Sequence, residues 1–305
     1  MKKLSYLATG VLAALGFSSA AKADVAVSGS TQMSIVADGT TNNWNQGGAV
    51  SFALSTTTAN GLGVAVGMGI TRDTDGAGAA AAATGNTNVT FTSGGATIKV
   101  GVMGVTGDGF GDIGGLASDQ TTVDGTNGTN AASAAMTTTT GTGVTLTTAV
   151  GGATLTVGYL FDTGTDTQAD ISAAIDNPSG VELSMPFGAY TLSAGYVTDG
   201  TDSDAGASIS GAAGAGTVTV GYNTVDDSGT TETAMGATYA MNLDADTSLS
   251  FGYNQSKDGT GTTNRTDVVL SRSLGGGVSA YIEAANYSGT GTAGTDIGIG
   301  TSIAF

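Results

Sequence analysis

The chain of 305 residues carries 25 Asp/Glu against 8 Lys/Arg, a formal net charge of −17, with 52 Gly, two Pro, no Cys and no His. That charge excludes nucleic acid as a partner, and a chain without His lacks the commonest general base and the commonest metal ligand. With charged residues at 11% and few large apolar ones, the composition alone permits disorder, so the placement of the apolar residues has to decide.

Lys2 and Lys3 precede an apolar run over residues 4–17, followed by small residues that end in Ala21-Lys22-Ala23. A basic start, a short apolar stretch and an Ala-x-Ala site predict a secretory signal peptide over residues 1–23. The run is too short to cross a bilayer as a helix. With Lys2, Lys3 and Lys22 in the leader, the remaining chain sets five basic residues against all 25 acidic ones.

From Asp24 a period of two begins, the signature of strands with one apolar face. Val25, Val27, Met33 and Ile35 alternate with Ser28, Ser30, Gln32 and Ser34. After a polar loop with Trp44 come Val50/Phe52/Leu54, the turn Ala59-Asn60-Gly61, and then Leu62, Val64, Val66, Met68 and Ile70. Val89/Phe91 and Ile98/Val100/Val102 flank Ser93-Gly94-Gly95, with Lys99 on the polar face. A long connection over about residues 107–140 has no sustained apolar period. The alternation resumes at Val144/Leu146/Val150 and Leu155/Val157/Tyr159/Phe161, whereas Ile171 and Ile175 are too sparse for a strand. Val181/Leu183/Met185/Phe187 and Tyr190/Leu192/Ala194/Tyr196 meet at Gly188-Ala189. Then follow Ala207/Ile209, Val218/Val220/Tyr222, Ala237/Tyr239/Met241, Leu249/Phe251/Tyr253, Val268/Leu270 and Val278/Ala280/Ile282. The last stretch, DIGIGTSIAF, puts Ile297, Ile299, Ile303 and Phe305 on one parity.

These make sixteen strands, an even number. Connections after even-numbered strands are short turns, and those after odd-numbered ones are longer and rich in Asp, Asn, Gly and Thr. That asymmetry belongs to up-and-down membrane barrels rather than to Greek-key sandwiches. The polar parity is small and neutral, unsuited to a soluble exterior but suited to a water-filled lumen. Phe187, Tyr190 and Phe305 near strand ends match the aromatic girdles that mark bilayer interfaces. The expected fold is therefore all-β, a 16-stranded antiparallel transmembrane barrel over residues 24–305. Arg272 shares the parity of Val268 and Leu270, so either it snorkels to the rim or a bulge turns it inward.

The segment Gly95-Ala96-Thr97-Ile98-Lys99-Val100-Gly101, running into Gly107-Asp108-Gly109-Phe110-Gly111-Asp112, resembles the strand-five-to-constriction-loop region of general, Rhodobacter-type porins of α-proteobacteria. The strand count, the first strand right after the leader and the terminal Phe305 are similar to that family too. The resemblance covers residues 24–305, by architecture more than by motif. It implies an outer-membrane homotrimer whose third external loop folds inward as a constriction, and a terminal aromatic read by the barrel-assembly machinery. By that likeness Asp108, Asp112, Asp119 and Asp124 are eyelet acids, the alternative being solvated turn residues. Such porins commonly set an Arg/Lys cluster against the loop acids. Here only Lys99 and Arg265 have inward parity, with Arg72 and Lys257 near external strand ends, so a strong transverse field is not expected. An acidic lumen concentrates cations, less so as salt rises.

No cofactor is expected, and the resemblance implies only that clustered loop carboxylates could hold Ca²⁺. Asp73-Thr74-Asp75-Gly76 begins like a calcium loop but lacks the later glutamate, so it reads as a loop between strands. A β-solenoid or adhesin requires a fixed repeat, and none is present. A barrel enzyme without His or Cys requires an Asp/Glu pair or Ser-Lys chemistry, and no compact motif supplies either. A closed structural barrel would leave sixteen strands around a lumen too wide for side chains to fill. The expected function is passive diffusion of small hydrophilic solutes, with cations preferred and no catalysis; a non-conducting structural or adhesive surface protein is the alternative.

Overall fold

The computed structural model describes residues 24–37, 42–75, 81–84, 88–104, 106, 140–162, 178–227, 229–290 and 293–305. Every described element is a strand. The first half of the chain forms β1 (Asp24–Ala37), β2 (Asn42–Thr57), β3 (Gly63–Asp75), β4 (Ala81–Thr84), β5 (Asn88–Ser93), β6 (Ala96–Gly104), β7 (Thr140–Val150) and β8 (Ala153–Asp162). The second half forms β9 (Ser179–Phe187), β10 (Tyr190–Thr198), β11 (Ser203–Ala213), β12 (Gly216–Asp227), β13 (Thr230–Asn242), β14 (Thr247–Lys257), β15 (Thr262–Gly275), β16 (Val278–Gly289) and β17 (Gly294–Ala304).

Among the described residues neighbouring strands pair antiparallel round the sheet, and β1 pairs with β17, so the sheet closes on itself. The short β4 and β5 lie against one strand: Ile70 faces Thr84 and Gly63 faces Thr92, both on β3. They are two pieces of a single stave, and the seventeen segments make a closed barrel of sixteen. Closure satisfies every ladder within the protein, which a bilayer requires because it offers no water to an unpaired backbone group.

The outer face is apolar and open. Val25 is 64% exposed, Ile299 60% and Phe187 60%, an apolar exterior of the kind that membrane barrels present. Hairpins on one side are tight. Gly151 and Gly152 have φ of 59° and 88°, and Gly94 and Gly95 have 58° and 83°. Two consecutive residues at positive φ make the turn whose twist matches that of the flanking strands.

The strands run further than their apolar stretches. The connections after β10, β12 and β14 shrink to a few residues, so the expected contrast between long and short connections weakens in the second half of the chain. The reason is physical: outward positions must be apolar only within the bilayer, while ladder hydrogen bonds continue beyond it. Ile171 and Ile175 lie outside the described residues, as do residues 1–23.

Candidate pore wall

The inward parity is polar and small along its turn-side half. Thr147 and Thr156 place their hydroxyls 3.0 Å apart, Ser184 and Ser193 3.1 Å, Ser210 and Thr219 2.8 Å, and Ser279 and Ser302 2.7 Å. Each pair bridges the two strands of one hairpin or neighbouring pair, so together they form a hydroxyl belt that water can wet. A recess of about 390 Å³ opens on the same side beside Asp24, Ser55, Thr57, Ala65, Thr90 and Thr92.

Acids dominate the described wall. On the strand parity Glu182, Asp204, Glu232, Asp267, Glu283 and Asp296 point inward from β9, β11, β13, β15, β16 and β17. Lys99 and Arg265 share the inward parity from β6 and β15, nearly across the ring from one another. Arg265 Nε lies 2.5 Å from Asp267 Oδ1, and its Nη2 lies 3.7 Å from Glu283 Oε1. Its guanidinium sits 5.0 Å from the centre of the Tyr287 ring, a cation–π distance. All four residues are buried. Lys99 is half-exposed between Thr90 and Thr145, with no ion-pair partner among the described residues.

Residues that the alternation alone passes over complete this wall. Tyr281 and Tyr287 stand on the polar parity of β16, opposite in phase to Ile282. The Tyr281 ring crosses Gly300 of β17, and its hydroxyl accepts a 2.8 Å bond from Gln32 Nε2 of β1, tying three strands at the seam. The signal was present as an aromatic out of phase with its neighbours. Large apolar residues also point inward near the loop side: Met103, Leu160, Val197 and Val225, all buried, on β6, β8, β10 and β12.

Thr106, just beyond β6, is buried against the inner faces of Gly158 on β8 and Gly180 on β9. The chain leaving β6 therefore turns into the barrel, passing β7. Asp108, Asp112, Asp119 and Asp124 lie outside the described residues. Among the described residues no group of three acidic side chains could hold a metal ion.

On the outer face Phe187 and Tyr190 face each other across the Gly188-Ala189 turn. The Tyr190 ring covers Gly211, and the Tyr239 ring covers Gly216 while its hydroxyl bonds to the Ala213 carbonyl at 3.2 Å. Phe305 covers Gly29 in the same way. Arg272 keeps the outward parity, since the bulge falls beyond it between Ser273 and Gly275. It sits at the turn-side rim, exposed, with Nη1 3.5 Å from Thr247 Oγ1.

A closed barrel with a lipid-facing exterior and a hydrophilic interior narrows the possibilities to a few families of membrane protein. The model of the Gram-negative porin family matches residues 8–292. The chain belongs to that family. Two solved porin-like barrels share the fold. OmpT, an outer membrane protein of Vibrio cholerae in a trimer form, superposes with a TM-score of 0.68 at 10% identity, over 93% of this chain and 99% of that one. An engineered form of the Rhodopseudomonas blastica porin superposes with 0.67 at 13% identity, over 92% of this chain and all of that one. No curated protein matches the sequence significantly. The porin thus resides in the Gram-negative outer membrane, and its family and fold are those of a channel rather than an enzyme.

Proposed function

We propose that this porin conducts small hydrophilic solutes and ions passively, by size exclusion at a loop-narrowed eyelet, and prefers cations. The observation that carries the preference is the charge of the wall: the partly exposed inward carboxylates Glu182 on β9, Glu232 on β13 and Asp296 on β17 stand against Lys99, while Arg265 is neutralised by Asp267 and Glu283. In a narrow aqueous path flanked by protein of low dielectric, an excess of one sign raises the local concentration of the opposite ion. No covalent chemistry enters this reading.

The constriction is assigned to residues 107–140, supported by the inward turn of Thr106 onto Gly158 and Gly180. Asp108, Asp112, Asp119 and Asp124 would add to the acidic field there, and they are the groups that would take Ca²⁺ if any do. Residues 1–23 are read as the secretory leader, supported by the start of β1 at Asp24. A homotrimer is supported by the trimer form of the structurally similar OmpT. Phe187, Tyr190 and Phe305 are read as interface aromatics, with Phe305 presented to the assembly machinery.

Planar-bilayer recording of the purified protein under a KCl gradient tests this. Stepwise openings, in threes for a trimer, with a reversal potential favouring K⁺ are expected. Anion preference would leave a porin with different electrostatics, and a folded barrel without conductance would favour a structural or adhesive role.

A further inference from the structure

Lys99 and Arg265 have the same inward parity, yet the structure treats them differently. Arg265 is 4% exposed, and its two carboxylate partners, Asp267 and Glu283, are 2% and 4% exposed. Each charge of that triad meets an opposite charge, and the guanidinium also lies over the Tyr287 ring. The neighbouring inner wall is sealed as well: Asn254 of β14 and Tyr281 of β16 are buried.

The wall on the other side of the seam is open. Ser28 and Ser30 of β1, Ser51 and Ser55 of β2 and Thr92 of β5 face inward and are exposed. Lys99 of β6 stands at the end of this arc and is half-exposed, with Thr106 seated on Gly158 two strands away. Its inward cross-strand neighbours, Thr90 and Thr145, are uncharged, and the inward positions beyond them are Ala65 and Gly158. Ions travel where water does, so the charge they feel most is the one that water reaches.

We propose that Lys99 is the basic residue that sets the ion selectivity of the pore, whereas Arg265 is a sealed structural tie between β15 and β16 that ions do not sense. This rests on the reading of the chain as a conducting porin. Lys99 tempers the cation preference: its ammonium repels K⁺ and holds Cl⁻ along the open arc. Arg265 holds two carboxylates to the wall and contributes little to the potential along the water path.

The test is the reversal potential in a KCl gradient at low ionic strength for K99Q, K99R and R265Q, with heat-modifiable migration checking that each barrel folds. K99Q is expected to raise the K⁺/Cl⁻ permeability ratio roughly two- to fivefold, the size of effect one partly screened charge has on ions passing within a few ångström. K99R should restore the wild-type ratio. R265Q should lower the temperature of heat modification and move the ratio by less than half the K99Q shift. If the triad instead lined the water path, R265Q would unmask two carboxylates and raise the ratio more than K99Q does, which overturns the proposal. An unchanged ratio in K99Q overturns it too. Should R265Q fail to fold, the triple variant R265M/D267N/E283Q removes every charge of the triad and leaves none unpaired. Its ratio should stay near wild type, and a large fall in cation preference would place the triad in the pore. A wild-type protein that folds but forms no channels removes the porin reading itself, and this assignment with it.

Discussion

Phe305 lies over Gly29. The Gly29 amide donates to the Phe305 carbonyl at 2.9 Å, and the Phe305 amide donates to the Gly29 carbonyl at 3.0 Å. The ring then folds across the Gly29 Cα, where any Cβ would strike it. An aromatic packed over a cross-strand glycine pins register at a barrel seam, and here it fixes the pair of strands that closes the ring.

Replacing Gly29 by Val should therefore weaken closure. A Cβ there would also come 2.9 Å from the Ala49 carbonyl, so both ring and backbone must yield. Urea unfolding in lipid vesicles should show a loss of about 1–3 kcal/mol. Combining G29V with F305A should recover part of it, because the ring no longer resists; strict additivity would mean the two residues do not interact.

Gly180 and Gly158 form the seat of Thr106. A Cβ at Gly180 would run into the Thr106 carbonyl, and one at Gly158 into its side chain. G180V should leave the barrel heat-modifiable but alter single-channel conductance and broaden its distribution, since the chain after β6 loses its place on the inner wall. Wild-type conductance in G180V would show that this seat does not position the constriction.

Arg272 tests depth in the membrane. At the rim it reaches Thr247, so R272Q should change stability by under about 1 kcal/mol, as exposed polar contacts do. Leu270, two residues on and exposed on the same face, lies further from the turn. One strand repeat deeper, L270R should cost more than R272Q, between the ~0–1 kcal/mol of an interface position and the ~2–4 kcal/mol of the midplane. Equal losses for both variants would refute the rim assignment.

Asp258 and Asp244 make the loops outside the bilayer sensitive to acid. Hydrogen bonds from the Thr260 side chain and from the Thr260 and Gly261 amides hold the Asp258 carboxyl below its ordinary value of 3.8. The Asp246 amide and Thr247 do the same for Asp244. A depressed folded value stabilises the loop above the unfolded value, and that contribution disappears as pH falls through the folded value. The Thr260 and Gly261 amide resonances should thus titrate with a midpoint below 3.8, and D258A should abolish the transition. A midpoint above 3.8 would contradict the hydrogen-bonded loop.

The alternation of Val25, Val27, Ile35 or of Ile297, Ile299, Ile303 is legible without coordinates, because lipid imposes the same local demand on every strand. From it follow the strand count, the antiparallel order and the inward parity of Lys99 and Arg265. The ends of the strands were not legible: Trp44 and Asp73-Thr74-Asp75, read as loops, belong to β2 and β3, and the connections shorten in the second half of the chain. There the ladder outlasts the apolar pattern that reveals it, as at β12, where Val225 even changes faces to point inward.

Contacts between residues far apart in the chain belong to the tertiary structure alone. Nothing near Gly29 announces Phe305, and nothing near Arg265 announces that Glu283 will stand beside it while Lys99 stays half-exposed. Parity is set by neighbours two residues away, so the sequence by itself determined which way a side chain points. What that side chain meets depends on which strand lies beside it and on what lies inside the barrel at that height, and only the closed barrel decided that.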